Sequence, residues 1–137
     1  MQPKAYLFFN GTAGDALAAY GAIFKTQPTM LMRMRDAPAD VGVPPEKQDW
    51  VMHAELPIGG GAICLSDDFM GNSAAMDGCS VMLSYPTAAE ARGVFDALAD
   101  GGTVRMDFAP TFWTAGFGTL TDRFGTRWMI DCTEAPS

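Results

Sequence analysis

The chain has 137 residues, 48% of them apolar and 18% charged, enough for one domain or for two small halves sharing a core. That balance excludes a disordered chain, and no apolar run approaches the roughly 20 residues of a membrane span. A formal net charge of −7, with nine scattered Lys and Arg, excludes the basic stripe that nucleic acid or an anionic membrane surface requires.

Met1-Gln2-Pro3-Lys4 lacks a basic segment followed by a long apolar one, so no signal peptide is read and a cytoplasmic protein is expected. Residues 6–9 are a short apolar strand, broken by Asn10-Gly11-Thr12. Thr12 is positioned to cap a helix over Ala13–Phe24, in which Leu17, Tyr20 and Phe24 share one face. A Met-rich strand is expected at 29–34. The segment 36–49 carries three prolines and few large apolar residues and reads as a loop, and whether its Pro-rich part, 37–45, closes over a cleft is not encoded in the pattern.

Residues 50–58 alternate as a strand, with Val51, His53 and Glu55 on one face and Met52, Ala54 and Leu56 on the other. Gly59-Gly60-Gly61 is a turn, residues 62–66 the next strand, and 67–78 a polar loop. The order then repeats. A strand at Val81–Tyr85 is followed by Thr87 as cap, a helix over 88–100 stopped by Gly101-Gly102, and a strand at 103–108. A hairpin closes the chain: Phe117–Thr121, a turn at Asp122-Arg123-Phe124-Gly125, and Arg127–Cys132. Phe112, Trp113, Phe117, Phe124 and Trp128 make this hairpin so aromatic that another layer must cover one face.

DALAAYGAIF, starting at Asp15, is echoed 75 residues later by EARGVFDALA from Glu90. Two βαβββ modules, 1–75 and 76–137, therefore form one α+β domain over 1–137, in which each module buries its face against a copy of itself.

The stretches YLFFNGTAGDALAAYGAIF, DWVMHAELPIGGGAICLSDD and ARGVFDALADGGTVRMDFAPTFWTAGFGTLTDRFGTRWMIDC cover most of the chain. They resemble the vicinal oxygen chelate superfamily (the glyoxalase/bleomycin resistance/dihydroxybiphenyl dioxygenase fold). The branch they resemble is PhnB-like, also labelled 3-demethylubiquinone-9 3-methyltransferase-like. The resemblance implies two tandem modules forming a curled, cupped mixed sheet. It also implies a divalent metal held by His, Gln or Glu from the first and last strand of each module. Those positions fall near Ala5 or Tyr6, Cys64 or Leu65, Ser80 or Val81, and Met129 or Ile130, which are not the family's ligands. No metal or other cofactor is therefore expected, and a metalloenzyme with an unusual ligand set is the alternative.

The candidate ligand-binding residues are His53, Glu55, Trp113 and Phe117. His53, the single histidine, and Glu55 lie two apart on a strand and so face one way; the competing reading is a hydrogen-bonded structural pair. Trp113 and Phe117 would be apolar wall. Cys64 reads as a small buried hydrophobe and Cys132 as partly exposed near the chain end. Asp67-Asp68 reads as a solvated turn, and Asp122 and Asp131 as turn or strand-end residues. The glycine runs lack the lysine of a P-loop and the dinucleotide fingerprint. No adenosylmethionine loop is visible. The expected protein binds a small organic molecule and forms a homodimer, and its activity is undetermined. A dimeric interaction module is the remaining alternative.

Overall fold

The computed structural model describes residues 1–71 and 73–137; Asn72, within the expected 67–78 loop, lies outside the described residues. The chain divides into two compact units, Met1–Ala74 and Ala75–Ser137. Each carries its own four-stranded mixed sheet and one long helix, so the α+β, twice-repeated βαβββ architecture holds.

The first unit contains β1 (Ala5–Phe9), α1 (Ala13–Phe24), β2 (Met30–Arg33), β3 (Val51–Ile58) and β4 (Gly61–Asp67). Its strand order is β1-β4-β3-β2, with β1 parallel to β4 and the other pairs antiparallel. Alternation sends Leu7, Phe9, Ala54, Leu56, Ile63 and Leu65 to one face, where all are buried with Ala13, Ala16, Leu17 and Tyr20 of α1. Full burial of a side chain such as Leu17 contributes about 1.5–3 kcal/mol. The stretch between β2 and β3 is a loop with short 3₁₀ turns, and Met34 plugs it into the core at 2% exposure.

The second unit repeats the plan with β5 (Val81–Tyr85), α2 (Ala88–Ala99), β6 (Thr103–Ala109), β7 (Phe117–Thr121) and β8 (Arg127–Cys132), in the order β5-β8-β7-β6. Thr87 caps α2 through its hydroxyl, which accepts from the Glu90 amide, and Gly101 ends the helix at φ +76. The closing hairpin is as expected, with Gly125 at φ +98 in its turn. Its covering layer is α2, against which Trp128, Ile130 and Leu120 are fully buried with Phe95 and Leu98.

Four expectations change. Thr12 makes no side-chain cap. The start of α1 is held instead by Asp67, whose Oδ1 accepts the amides of Gly11 (2.8 Å) and Ala13 (2.9 Å). Asp67 is thus a buried carboxylate, not a solvated turn residue. Val51 does not share a face with His53 and Glu55. The β2–β3 register slips between Met32 and Arg33, and a one-residue slip reverses the side-chain direction, so Val51 joins the core at 1% exposure. Cys132 is buried beside Thr114, whose hydroxyl donates to the Cys132 carbonyl at 2.6 Å. Among the described residues no helix is long and apolar enough to cross a membrane.

Candidate functional site

The face of the first sheet away from α1 is open. Strand register puts Tyr6, Cys64, Glu55 and Met30 in one row across β1, β4, β3 and β2. Alternation adds Phe8, Ser66, His53 and Met32 on the same face. Most of the apolar members are exposed: Tyr6 at 42%, Phe8 at 58%, Met30 at 48% and Met32 at 37%. An antiparallel sheet can leave one face to water, but that face is ordinarily polar.

Two polar pairs stand within this apolar surface. The Tyr6 hydroxyl lies 2.8 Å from His53 Nδ1, and the two rings sit 5.6 Å apart, centroid to centroid. Tyr6 also stacks on Phe8 at 5.0 Å. Lys4 donates to Glu55 Oε1, and the Thr29 hydroxyl donates to Glu55 Oε2 at 3.2 Å. The hydrogen bond from Lys4 holds Glu55 below the usual carboxylate range, and the same bond raises Lys4. Burial pushes Tyr6 up, so it remains a phenol. Burial, and then the Glu55 charge, push the Cys64 thiol up. At neutral pH the face therefore presents a compensated Lys4–Glu55 pair and a phenol, while the Cys64 thiol is buried and protonated and supplies no thiolate nucleophile.

His53 and Glu55 thus share a face as expected, each with a partner that alternation alone did not reveal. The parallel pairing of the first and last strands in a βαβββ module supplies Tyr6, and it was the available signal. Trp113 and Phe117 come together in the second unit, ring centroids 5.6 Å apart, with Phe112 4.8 Å from Trp113. Phe117 lies opposite Asp131 on β8, and the Ser84 hydroxyl donates to that Asp131 carboxylate. A separate open groove of about 690 Å³ runs between α2 and β6 and is lined by Arg92, Phe95, Asp96, Asp100, Asp107 and Phe108. None of the four candidates lines it.

The metal positions can be tested by register. Tyr6 and Cys64 are paired on the open face of the first sheet, and Met82 and Met129 are paired in the second. The second first-strand position is therefore Met82, two residues beyond Ser80 and one beyond Val81. A phenol and a thiol both shifted toward their protonated forms, and two thioethers, do not fit a hard divalent cation. Among the described residues no three His, Cys, Asp or Glu side chains are grouped to hold a metal.

The family model described as 3-demethylubiquinone-9 3-methyltransferase matches residues 3–131. Protein YjdN of Escherichia coli (strain K12) is 30% identical over 142 residues, covering 98% of this chain and 97% of its own. Protein PA1353 from Pseudomonas aeruginosa matches with a TM-score of 0.88 at 37% identity over 98% of both chains. The putative 3-demethylubiquinone-9 3-methyltransferase, PhnB protein, from Bacillus cereus shares the fold at TM-score 0.82 and 22% identity, covering 96% and 99% of the two chains. A glyoxalase/bleomycin resistance protein/dioxygenase family enzyme from Burkholderia phytofirmans shares it at 0.61 and 14%, covering 95% and 96%. The names YjdN and PA1353 state no reaction.

A methyltransferase description implies adenosylmethionine, which a glycine-rich strand-to-helix turn commonly cradles with free amides. In the β1–α1 turn the Gly11 and Ala13 amides already donate to Asp67, and a Cβ on Gly11 would sit 2.9 Å from the Trp50 ring. That turn does not fit the group.

Proposed function

The chain belongs to the 3-demethylubiquinone-9 3-methyltransferase family, PhnB-like and glyoxalase-folded, and from that premise we propose that it binds a small organic molecule on the open face of its first sheet. One observation carries this reading. Tyr6, Phe8, Met30 and Met32 expose an apolar surface in which the polar pairs Tyr6–His53 and Lys4–Glu55 are embedded. An apolar wall with a few fixed polar groups is the general form of a small-molecule site, and thioether side chains adapt to a bound shape. No metal takes part in this reading. Three free cysteines suit a reducing, cytoplasmic compartment.

The test is a fragment screen by ligand-observed NMR, comparing wild type with the double variant His53→Ala/Glu55→Ala. Hits that bind wild type and fail to bind the double variant support the reading. Hits that bind both proteins equally overturn it.

A second reading concerns self-association. Phe112 is 90% exposed and Trp113 52%, and rings so open are commonly covered in an assembly. We read this patch as part of a homodimer contact. Sedimentation of wild type as a dimer, and of Phe112→Ser/Trp113→Ser as a monomer, supports it; a monomeric wild type removes it.

A further inference from the structure

The Tyr6–His53 contact fixes more than a position. A neutral imidazole has one N–H and one bare nitrogen, and which is which depends on the partner at each. At Nδ1 the partner is a phenol 2.8 Å away. A phenolic O–H is the more acidic donor of the two and the imidazole nitrogen the more basic acceptor, so the stronger bond runs from Tyr6 to Nδ1. The distance sits at the short side of the range for N–H···O donation and suits an O–H donor. Burial keeps the Tyr6 proton in place. The Ser66 hydroxyl, beside Tyr6 on the same face, donates to the Met52 carbonyl at 2.7 Å and is a weaker acceptor for the phenol proton than the imidazole nitrogen.

We propose that His53 stands as the Nε2–H tautomer, positioned by the Tyr6 hydroxyl, and that its Nε2–H recognises the oxygen of an uncharged carbonyl group on a ligand with a flat apolar body. This rests on the ligand site of the previous subsection and names its substrate class. The charged groups on this face, Lys4 and Glu55, neutralise each other, so the face offers no net charge to a carboxylate or an amine. The stacked Tyr6 and Phe8 rings, with Met30 and Met32, supply the surface for the apolar body. Tyr6 is a positioning residue, and His53 makes the contact.

A single histidine makes the test direct, because a ¹⁵N-imidazole spectrum contains one ring. In the free protein with the imidazole neutral, Nδ1 should resonate as a bare, pyridine-type nitrogen and Nε2 as a protonated, pyrrole-type one. Tyr6→Phe keeps the ring on this exposed strand and should turn that single tautomer into a mixture. Acetophenone should then shift the Nε2 signal, and ethylbenzene, which lacks the oxygen, should not. A pyrrole-type Nδ1 in the free protein overturns the tautomer, and equal shifts with both probes overturn carbonyl recognition. The Met30 and Met32 methyl signals report separately on the site. If they move with either probe, the ligand site survives the loss of this inference; if they move with neither, the site and the inference fall together.

Discussion

The buried carboxylate of Asp67 accepts the Val51 amide at 2.9 Å through Oδ2, while its Oδ1 holds the two amides that open α1. One side chain thus ties β4 to β3 and to the helix start. Asp67→Asn replaces one acceptor by an NH₂ that faces a donor, and a buried polar group left unpaired costs about 1–3 kcal/mol. The variant should melt roughly 4–12 °C below wild type, at about 4 °C per kcal/mol for a chain of this size. Asp68→Asn, whose carboxylate accepts from the Met70 amide and the Ser73 hydroxyl in the following loop, should melt within about 2 °C of wild type. Calorimetry on both variants checks the contrast.

The same residue marks where the sequence stopped being legible. The strands, both helices and the repeat follow from alternation, three- and four-residue spacing and turn glycines, all of which are local. His53 and Glu55 sharing a face is local as well. The role of Asp67 depends on amides 54, 56 and 16 residues away, and no local pattern encodes those. Val51 turned inward because of a slip against β2, which depends on the partner strand. Tyr6 reached His53 only through the β1–β4 pairing. A pair read from one strand therefore showed half of its chemistry.

Thiol reactivity should divide the cysteines one against two. Cys79 is exposed, while Cys64 and Cys132 are buried at 6% and 4% exposure. The Cys64 thiol is also pushed up, by burial first and the Glu55 charge second, which lowers its thiolate fraction. Ellman's reagent at pH 8 should label one thiol rapidly in the folded protein and three in denaturant. Cys79→Ser should abolish the rapid phase. A rapid phase of two thiols would contradict the burial of Cys64 or Cys132.

The Lys4–Glu55 pair gives a defined pH window. The Lys4 hydrogen bond lowers the folded pKa of Glu55 below its ordinary 4.5, so the stabilisation is present above 4.5 and is lost as pH falls through the folded value. Lys4 is raised above 10.5, so its share is present below 10.5 and lost as pH rises through the folded value. The pair is exposed, and salt should screen it. The melting-temperature difference between wild type and Glu55→Gln should hold steady from pH 6 to 9. It should shrink below pH 4.5 and in 1 M NaCl. A difference that persists at pH 3 would assign the effect of Glu55 to packing instead of charge.

Two glycines of the second unit should respond to the same substitution with opposite signs. Gly118 on β7 is buried, and a Cβ there would lie 2.6 Å from the Phe95 ring and 3.0 Å from the Phe108 Cα. The first neighbour is a packed core ring and the second is backbone, so neither yields cheaply. Overpacking of this kind costs about 1–3 kcal/mol, and Gly118→Ala should lower the melting temperature by roughly 4–12 °C. Gly93 lies inside α2 on its exposed side, with open space for 4 Å around the place an alanine methyl would take and no positive φ. There the folded helix loses nothing, and alanine removes backbone freedom only from the unfolded chain. Gly93→Ala should gain about 0.4–1 kcal/mol, a rise of roughly 2–4 °C. Because α2 packs on β7 through Phe95, the two effects share a helix but not a contact, and the double variant should melt near the sum of the single shifts. A Gly118→Ala protein as stable as wild type would mean that α2 stands off the sheet further than the Phe95 contact requires.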